Sequence, residues 1–292
     1  MSFNKYLDKI DIIYWINLNR SEKRRKNMET LLKTINIKNE RIAAIDGKFD
    51  SDENIYGRYI SENGFNKSRI EYSCLLSHLL TIKTFAESEY EYALILEDDL
   101  SLEYTKYWDK NISQIMREAP NDWEIIMLNY VSKQKLENNY TLNLNGRLSC
   151  CGSYLINKKG ALKLINKIYK NNKFILLPNS VHTSDNYIYS QLRTYAYKYP
   201  YFTYPTENDS TIHDSHIFFH VYTKEIAFTS WNDKYKIRPS YGVLNIIFSN
   251  KLLQTIIFVI ILTIFLLYIL KNKQKSNKNV IYNDNFLELS KL

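Results

Sequence analysis

Residues 92–100, YALILEDDL, run apolar and then stop at three adjacent carboxylates, Glu97, Asp98 and Asp99. An apolar run of this length, bounded so abruptly, reads as a strand buried on both faces with the acids at its carboxyl edge. In an open α/β sheet that edge is where ligands bind, because the loops leave there and a crevice opens. Two like charges about 4 Å apart repel by roughly 4 kcal/mol at an effective dielectric of about 20, so three acids together call for a cation. Oxygen donors suit Mg²⁺ or Mn²⁺ rather than zinc, and such ions commonly bridge to substrate phosphates. The plainer alternative is a solvated acidic turn, the usual fate of a charge run.

Working outward, residues 73–86 (SCLLSHLLTIKTFA) carry apolar side chains at helical spacing and lead straight into that strand. His78 on this helix reads as a hydrogen-bonded packing histidine rather than a ligand. Residues 10–18 (IDIIYWINL) predict a central strand, Ser21 a helix cap, residues 22–34 a helix and residues 41–46 a second strand, together a βαβ unit. Residues 48–70 read as an irregular loop. Beyond the acids, 104–119 predicts a helix, 123–130 a buried strand, 149–157 a strand with Gly152 allowing close backbone approach, and 158–169 a helix. An aromatic-rich helix is expected over 187–194 with Asp185 as its cap, then an extended stretch over 195–204. The loop 205–216 (PTENDSTIHDSH) gathers groups able to hold metal or phosphate.

The chain has 292 residues, 45% hydrophobic and 24% charged, with 7 glycines and 5 prolines, which fits a globular α/β protein without long flexible linkers. Its formal charge of +8 is spread along the chain apart from Arg20, Lys23, Arg24, Arg25 and Lys26 and a cluster after 270, so no nucleic-acid-binding motif is read. Cys74, Cys150 and Cys151 give neither metal-type spacing nor a disulfide framework, which is compatible with a reducing compartment. Residues 1–10 lack the apolar core of a secretory signal. Residues 252–270 (LLQTIIFVIILTIFLLYIL) are 19 residues without a charge, enough to span a bilayer at about 1.5 Å per residue. The expectation is a single-pass membrane protein with a C-terminal anchor, its folded domain on the cytosolic side; the sequons at Asn66, Asn111, Asn139 and Asn208 keep a lumenal placement open.

In order along the chain, IYWINLNRSEKRRKNM (13–28), AIDG (44–47), EYSCLLSH (71–78), LILEDD (94–99), WEIIMLN (123–129) and GSYLINKKGALKLI (152–165) resemble glycosyltransferase family 25, which holds lipooligosaccharide and procollagen galactosyltransferases. Each piece is weak alone; six in the family's order are specific. Ser73-Cys74 stands where the family often has Gly-Cys, and the acidic motif stands as Glu-Asp-Asp.

The resemblance implies a GT-A type fold, a Rossmann-like mixed sheet flanked by helices, over residues 1–220, followed by a connector (221–251), the membrane helix (252–270) and a polar tail (271–292). It implies a Mn²⁺ or Mg²⁺ ion with Asp99 as direct ligand, Glu97 orienting the ion or the ribose, and His213 or His216 as a further ligand. Asp98, Asn19, Arg20 and Arg24 are implied at the nucleotide-sugar donor. Inverting chemistry needs a base for the acceptor hydroxyl, and Asp185 is the candidate. The implied partners are a nucleotide-sugar donor, a glycan, lipid-linked or protein acceptor, and membrane lipid. The implied activity is transfer of a hexose, galactose or glucose first. A catalytically inactive relative serving as a membrane-tethered scaffold or chaperone is the competing expectation. A metal-dependent phosphohydrolase is a third, though it would want further ligating motifs that the sequence lacks.

Overall fold

A computed structural model of the chain describes residues 3–62, 64–132, 135–144, 147–176, 183–204 and 217–236, with Val259 and Thr263. Strand β1 (Ile12–Asn17), helix α1 (Glu22–Leu32) and strand β2 (Asn39–Ala43) form the expected βαβ unit, β1 and β2 pairing in parallel. A short helix α2 (Asp52–Ile55) and strand β3 (Tyr59–Ser61) occupy a span that reads as loop. Helix α3 (Arg69–Glu87) starts four residues before the expected 73. Ser68 accepts from the Glu71 amide while Glu71 accepts from the Ser68 amide, and this capping box sets the start.

After α3 comes β4 (Tyr92–Glu97), the apolar strand that bears the acids. The helix expected over 104–119 is shortened to α4 (Ile112–Glu118), because Asn111 forms a second capping box with Gln114 and starts the helix there. The chain continues through β5 (Ile125–Met127), β6 (Tyr140–Leu142), β7 (Ser153–Asn157), α5 (Lys158–Ile168), β8 (Tyr169–Lys170) and β9 (Lys173–Leu176). It ends with α6 (Ser184–Gln191), β10 (Thr194–Tyr197) and α7 (Ile217–Tyr235).

Among the described residues, seven strands form a mixed sheet in the order β2-β1-β4-β7-β5-β10-β6, and β3, β9 and β8 form a smaller one. β1 and β4 are parallel, whereas β7 runs antiparallel between β4 and β5. Its beginning therefore meets the carboxyl end of β4, level with that of β1: Ile16 is opposite Glu97, Leu96 is opposite Ser153, and the Glu97 amide donates to the Gly152 carbonyl at 2.8 Å. Alternation along the strands separates two cores. Tyr14, Ile95 and Tyr154 pack with α3, α5 and α6 on one face; Trp15, Leu94 and Leu155 pack with α1, α4 and α7 on the other. Both faces are covered, which is why these strands read as continuous apolar runs rather than alternating ones.

The compact unit runs to Ile237. Ala227 and Trp231 of α7 are fully buried, and Trp231 Nε1 donates to the Pro200 carbonyl at 2.8 Å. The domain boundary expected at 220 therefore moves, and the first part of the supposed connector belongs to the core. Residues 252–270 lie outside the described residues except for Val259 and Thr263, both helical. Among the described residues no helix is long and apolar enough to cross a membrane.

Candidate functional site

The carboxyl ends of β1 and β4, the turn before β7, the first turn of α6 and one face of α3 enclose a cavity of about 380 Å³, within the size range of small-molecule sites. Glu97, Asp98, Asp99, Arg20, Arg24, Cys74, His78, Cys150, Asp185 and Tyr204 line it.

The three acids are held differently. Glu97 Oε1 is 3.3 Å from His78 Nε2, and Glu97 Oε2 accepts from the Tyr204 hydroxyl at 2.9 Å. His78 is 1% exposed and its Nδ1 lies 3.2 Å from the Tyr154 hydroxyl. A proton on Nε2 with Tyr154 donating to Nδ1 satisfies this pattern. Burial opposes ionisation of Glu97, but the hydrogen bonds from His78 and Tyr204 and the Arg24 charge outweigh it and hold its carboxyl below the usual range.

Asp98 Oδ2 accepts from Asn17 Nδ2 at 2.5 Å, and Arg24 spans Asp98 Oδ1 at 3.2 Å and Asp99 Oδ2 at 3.1 Å. Burial raises the Asp98 carboxyl despite these partners. Asp99 fares worse: burial, then the neighbouring Glu97 charge, push it up to about 7 although Arg24 pulls the other way. Its Oδ1 is buried and has no hydrogen-bond partner. One carboxylate oxygen of a residue that lines the cavity is thus buried with its desolvation uncompensated.

A strained turn forms the opposite wall. Cys150 has φ +102°, a region L-residues rarely adopt. Three contacts hold it there: its amide donates to Asp185 Oδ2 at 2.9 Å, its carbonyl accepts from the Tyr189 hydroxyl at 2.9 Å, and its thiol lies 3.3 Å from the Tyr204 hydroxyl. Gly152 follows, where a Cβ would fall 2.6 Å from Asn129 Nδ2 and closer still to the Tyr204 hydroxyl, so only glycine lets Tyr204 reach Glu97.

Asp185 sits within the first turn of α6 rather than capping it, because Thr183 occupies the cap position. Its Oδ1 accepts from the Asn186 amide at 2.8 Å, so both oxygens hold backbone amides, and the residue lines the cavity. Arg20 lines the cavity, pairs with Asp46 at 2.6 Å and lies over Phe49, an exposed ring. Asn19 is not part of the lining; its Oδ1 accepts from Arg41 at 2.6 Å. His213 and His216 lie outside the described residues.

Sequence reasoning missed Asn17, Tyr204 and Cys74 and underrated His78. His78 does pack, and it also orients an acid. The readable signal was Cys74 and His78 at i, i+4 on a helix that feeds the acidic strand, a spacing that puts both on one helix face. Tyr204, which approaches from a loop 107 residues after Glu97, left no local trace.

Comparison with known proteins agrees with the motifs. Residues 10–187 match the family described as Glycosyltransferase family 25 (LPS biosynthesis protein). A Glycosyltransferase 25 family member of Drosophila melanogaster is 30% identical over 56% of this chain and 30% of its own length. One of Aedes aegypti is 26% identical over 52% of this chain and 27% of its own. The chain thus spans under a third of the length of these curated relatives. A solved glycosyltransferase involved in the glycosylation of the major capsid of PBCV-1 aligns over 64% of this chain and 91% of its own, at 9% identity and a TM-score of 0.29, too slight a likeness to weigh. With the family's motifs matched over well more than half of its length and their residues gathered around one cavity, the chain belongs to glycosyltransferase family 25.

Proposed function

We propose that this chain transfers a hexose, galactose or glucose first, from a nucleotide-sugar donor to a hydroxyl of a glycan, lipid-linked or protein acceptor, with inversion, on a GT-A type fold. The observation that carries the reading is Asp99 Oδ1, buried and unpartnered on a residue that lines the cavity beside two further acids and one arginine. Such a donor set fits a hard divalent cation, Mn²⁺ or Mg²⁺, held directly by Asp99. When bound, the ion would stabilise the negative charge developing on the leaving nucleoside diphosphate.

The chain's own residues supply the rest. His78 and Tyr204 fix Glu97 in one rotamer, so its charge is presented to the cavity at no cost of reorganisation. Arg24 keeps Asp98 and Asp99 together against their mutual repulsion. Arg20 exchanges its part-buried partner Asp46 for the donor's phosphates. Asp185 takes the proton from the acceptor hydroxyl; its oxygens each retain a lone pair beyond the bonds from Cys150 and Asn186. Residues 252–270 anchor the enzyme, a reading supported by the uncharged length of that segment, and the domain lies on the cytosolic side.

The test is a thermal-shift and hydrolysis screen of common nucleotide sugars with Mn²⁺. A ligand present at 100 times its dissociation constant stabilises the native state by about 2.7 kcal/mol, so a donor that binds raises the melting temperature visibly. Absence of both stabilisation and hydrolysis for every donor, in folded protein, would return the reading to the inactive scaffold. Protease treatment of sealed vesicles tests the anchor's orientation, protection of the domain overturning the cytosolic placement.

A further inference from the structure

Beside the hard-oxygen end of the acidic cluster lies a softer set of donors. Cys74 Sγ, a ring nitrogen of His78 and a carboxylate oxygen of Glu97 all lie within 4.8 Å of one another, and all three residues line the cavity. Cys74 and His78 project from one face of α3, and Glu97 meets them from the end of β4. Zinc bonds of roughly 2.0–2.3 Å place tetrahedral donors about 3.3–3.8 Å apart, so these atoms need close by about 1.5 Å at most.

We propose that Cys74, His78 and Glu97 form a site for a borderline-soft divalent cation, Zn²⁺ by preference, distinct in donor chemistry from the hard-cation position at Asp99. Thiolate and imidazole favour Zn²⁺ over Mg²⁺ and Mn²⁺. Three protein ligands leave the fourth position facing the cavity, open to water, as in zinc sites that are not closed by protein. The outer contacts are those a zinc site uses: Tyr154 sits on His78 Nδ1 and fixes the ring, and the Ser184 hydroxyl donates to Cys74 Sγ at 3.1 Å. In the metal-free chain a proton between His78 Nε2 and Glu97 Oε1 stands where the cation would, and the cation displaces it together with the thiol proton.

The consequence is regulatory. Zinc at this site draws Glu97 away from the Asp99 side, so it antagonises Mn²⁺-dependent transfer; this arm rests on the function proposed above, whereas binding does not. The binding test uses Co²⁺ as a spectroscopic substitute for zinc on the full chain. The expected result is stoichiometric binding with a sulfur-to-cobalt charge-transfer absorption in the near ultraviolet. That band is lost in Cys74→Ser, with the fold verified by circular dichroism, kept in Cys151→Ser, and displaced by Zn²⁺ but not by Mg²⁺.

A second measurement needs no substitution: alkylation of Cys74, read by peptide mass mapping, slows about tenfold or more when Zn²⁺ is present at ten times its dissociation constant. A folded chain without a thiolate band, a band indifferent to Cys74→Ser, or Cys74 labelling that ignores zinc overturns the site. Transfer that is undetectable while the cobalt band behaves as expected would overturn the transferase reading and leave the site standing.

Discussion

On one side of the cavity Glu97 is gripped by His78 and Tyr204, its ionisation favoured in spite of burial. On the other, two residues further along the chain, Asp99 shares one arginine with Asp98, keeps an oxygen without a partner and has its carboxyl pushed up to about 7. The strand end is common to both, so local sequence does not distinguish them. The difference comes from what packs against each: an antiparallel strand, a buried histidine and a tyrosine beside Glu97, against a single guanidinium from α1 beside Asp99. A carboxylate whose lone pairs are taken by protein donors is a fixed charge; one left short of donors is a place for a ligand.

If that contrast is functional, removing the under-partnered acid has the largest effect. Asp99→Ala should lower sugar transfer by about 10³-fold or more, since metal stabilisation of the leaving group is worth several kcal/mol and each 1.36 kcal/mol is tenfold. Circular dichroism should show an intact fold. Near-normal transfer in a folded variant would mean that the orphaned oxygen holds nothing.

Asp185→Asn comes next, with a fall in kcat of about 10²–10⁴-fold, the usual share of general-base catalysis, and an unchanged donor dissociation constant by titration. The asparagine carbonyl can keep the Cys150 amide bond that Asp185 makes, but its NH₂ then faces the Asn186 amide. A stability loss of about 1–2 kcal/mol is therefore expected alongside. Collapse of donor affinity instead would move Asp185 into the donor pocket.

Tyr204→Phe is the test of the gripped acid, leaving Glu97 with one protein donor where it had two. Loss of an outer-shell contact typically costs 10–100-fold in metal affinity or activity, so Mn²⁺ affinity and turnover should fall together within about that range. An unchanged Mn²⁺ response would show that the hold on Glu97 is structural only.

The parts of this arrangement that could be read from the chain are those encoded by short-range pattern. Both-face burial of residues 12–17 and 92–97 follows from uninterrupted apolar runs, and the acids follow from their position at a strand end. What could not be read depends on the third dimension. The insertion of β7 antiparallel to β4 brings Gly152 and the strained Cys150 to Glu97 from far along the chain. The residue that completes the grip, Tyr204, lies in an irregular stretch with no periodicity to mark it. Helices start at 69 and 112 rather than where hydrophobic spacing alone puts them, because capping boxes at Ser68/Glu71 and Asn111/Gln114 set the starts. α7 falls largely in the stretch expected as connector, yet its Trp231 is buried whole.

The smallest effect expected is on stability, and its sign follows from the raised carboxyl of Asp99. Its folded value of about 7 lies above the roughly 3.9 of an unfolded aspartate, so between those values the native chain binds the proton more tightly than the unfolded one does. Stability from this group is fully present below about 3.9 and is lost as pH rises through 7. Glu97, held below its usual range, is ionised in both states above pH 5 and does not confuse the window. Metal-free protein should therefore lose thermal stability between pH 5 and 8, whereas Asp99→Asn, which cannot ionise, should lose less, the two curves separating as pH increases. For a folded unit of this size about 1 kcal/mol corresponds to 2–4 °C, so a separation of several degrees at pH 8 that narrows towards pH 5 is the expected reading by differential scanning calorimetry in chelator. Adding Mn²⁺ at pH 8 should erase the wild type's deficit and leave the variant unmoved, because only Asp99 exchanges its burdensome charge for a bond. Parallel curves, or a variant less stable than wild type at pH 8, would show that Arg24 already compensates Asp99 in full and that the two acids of the strand end are not so differently held.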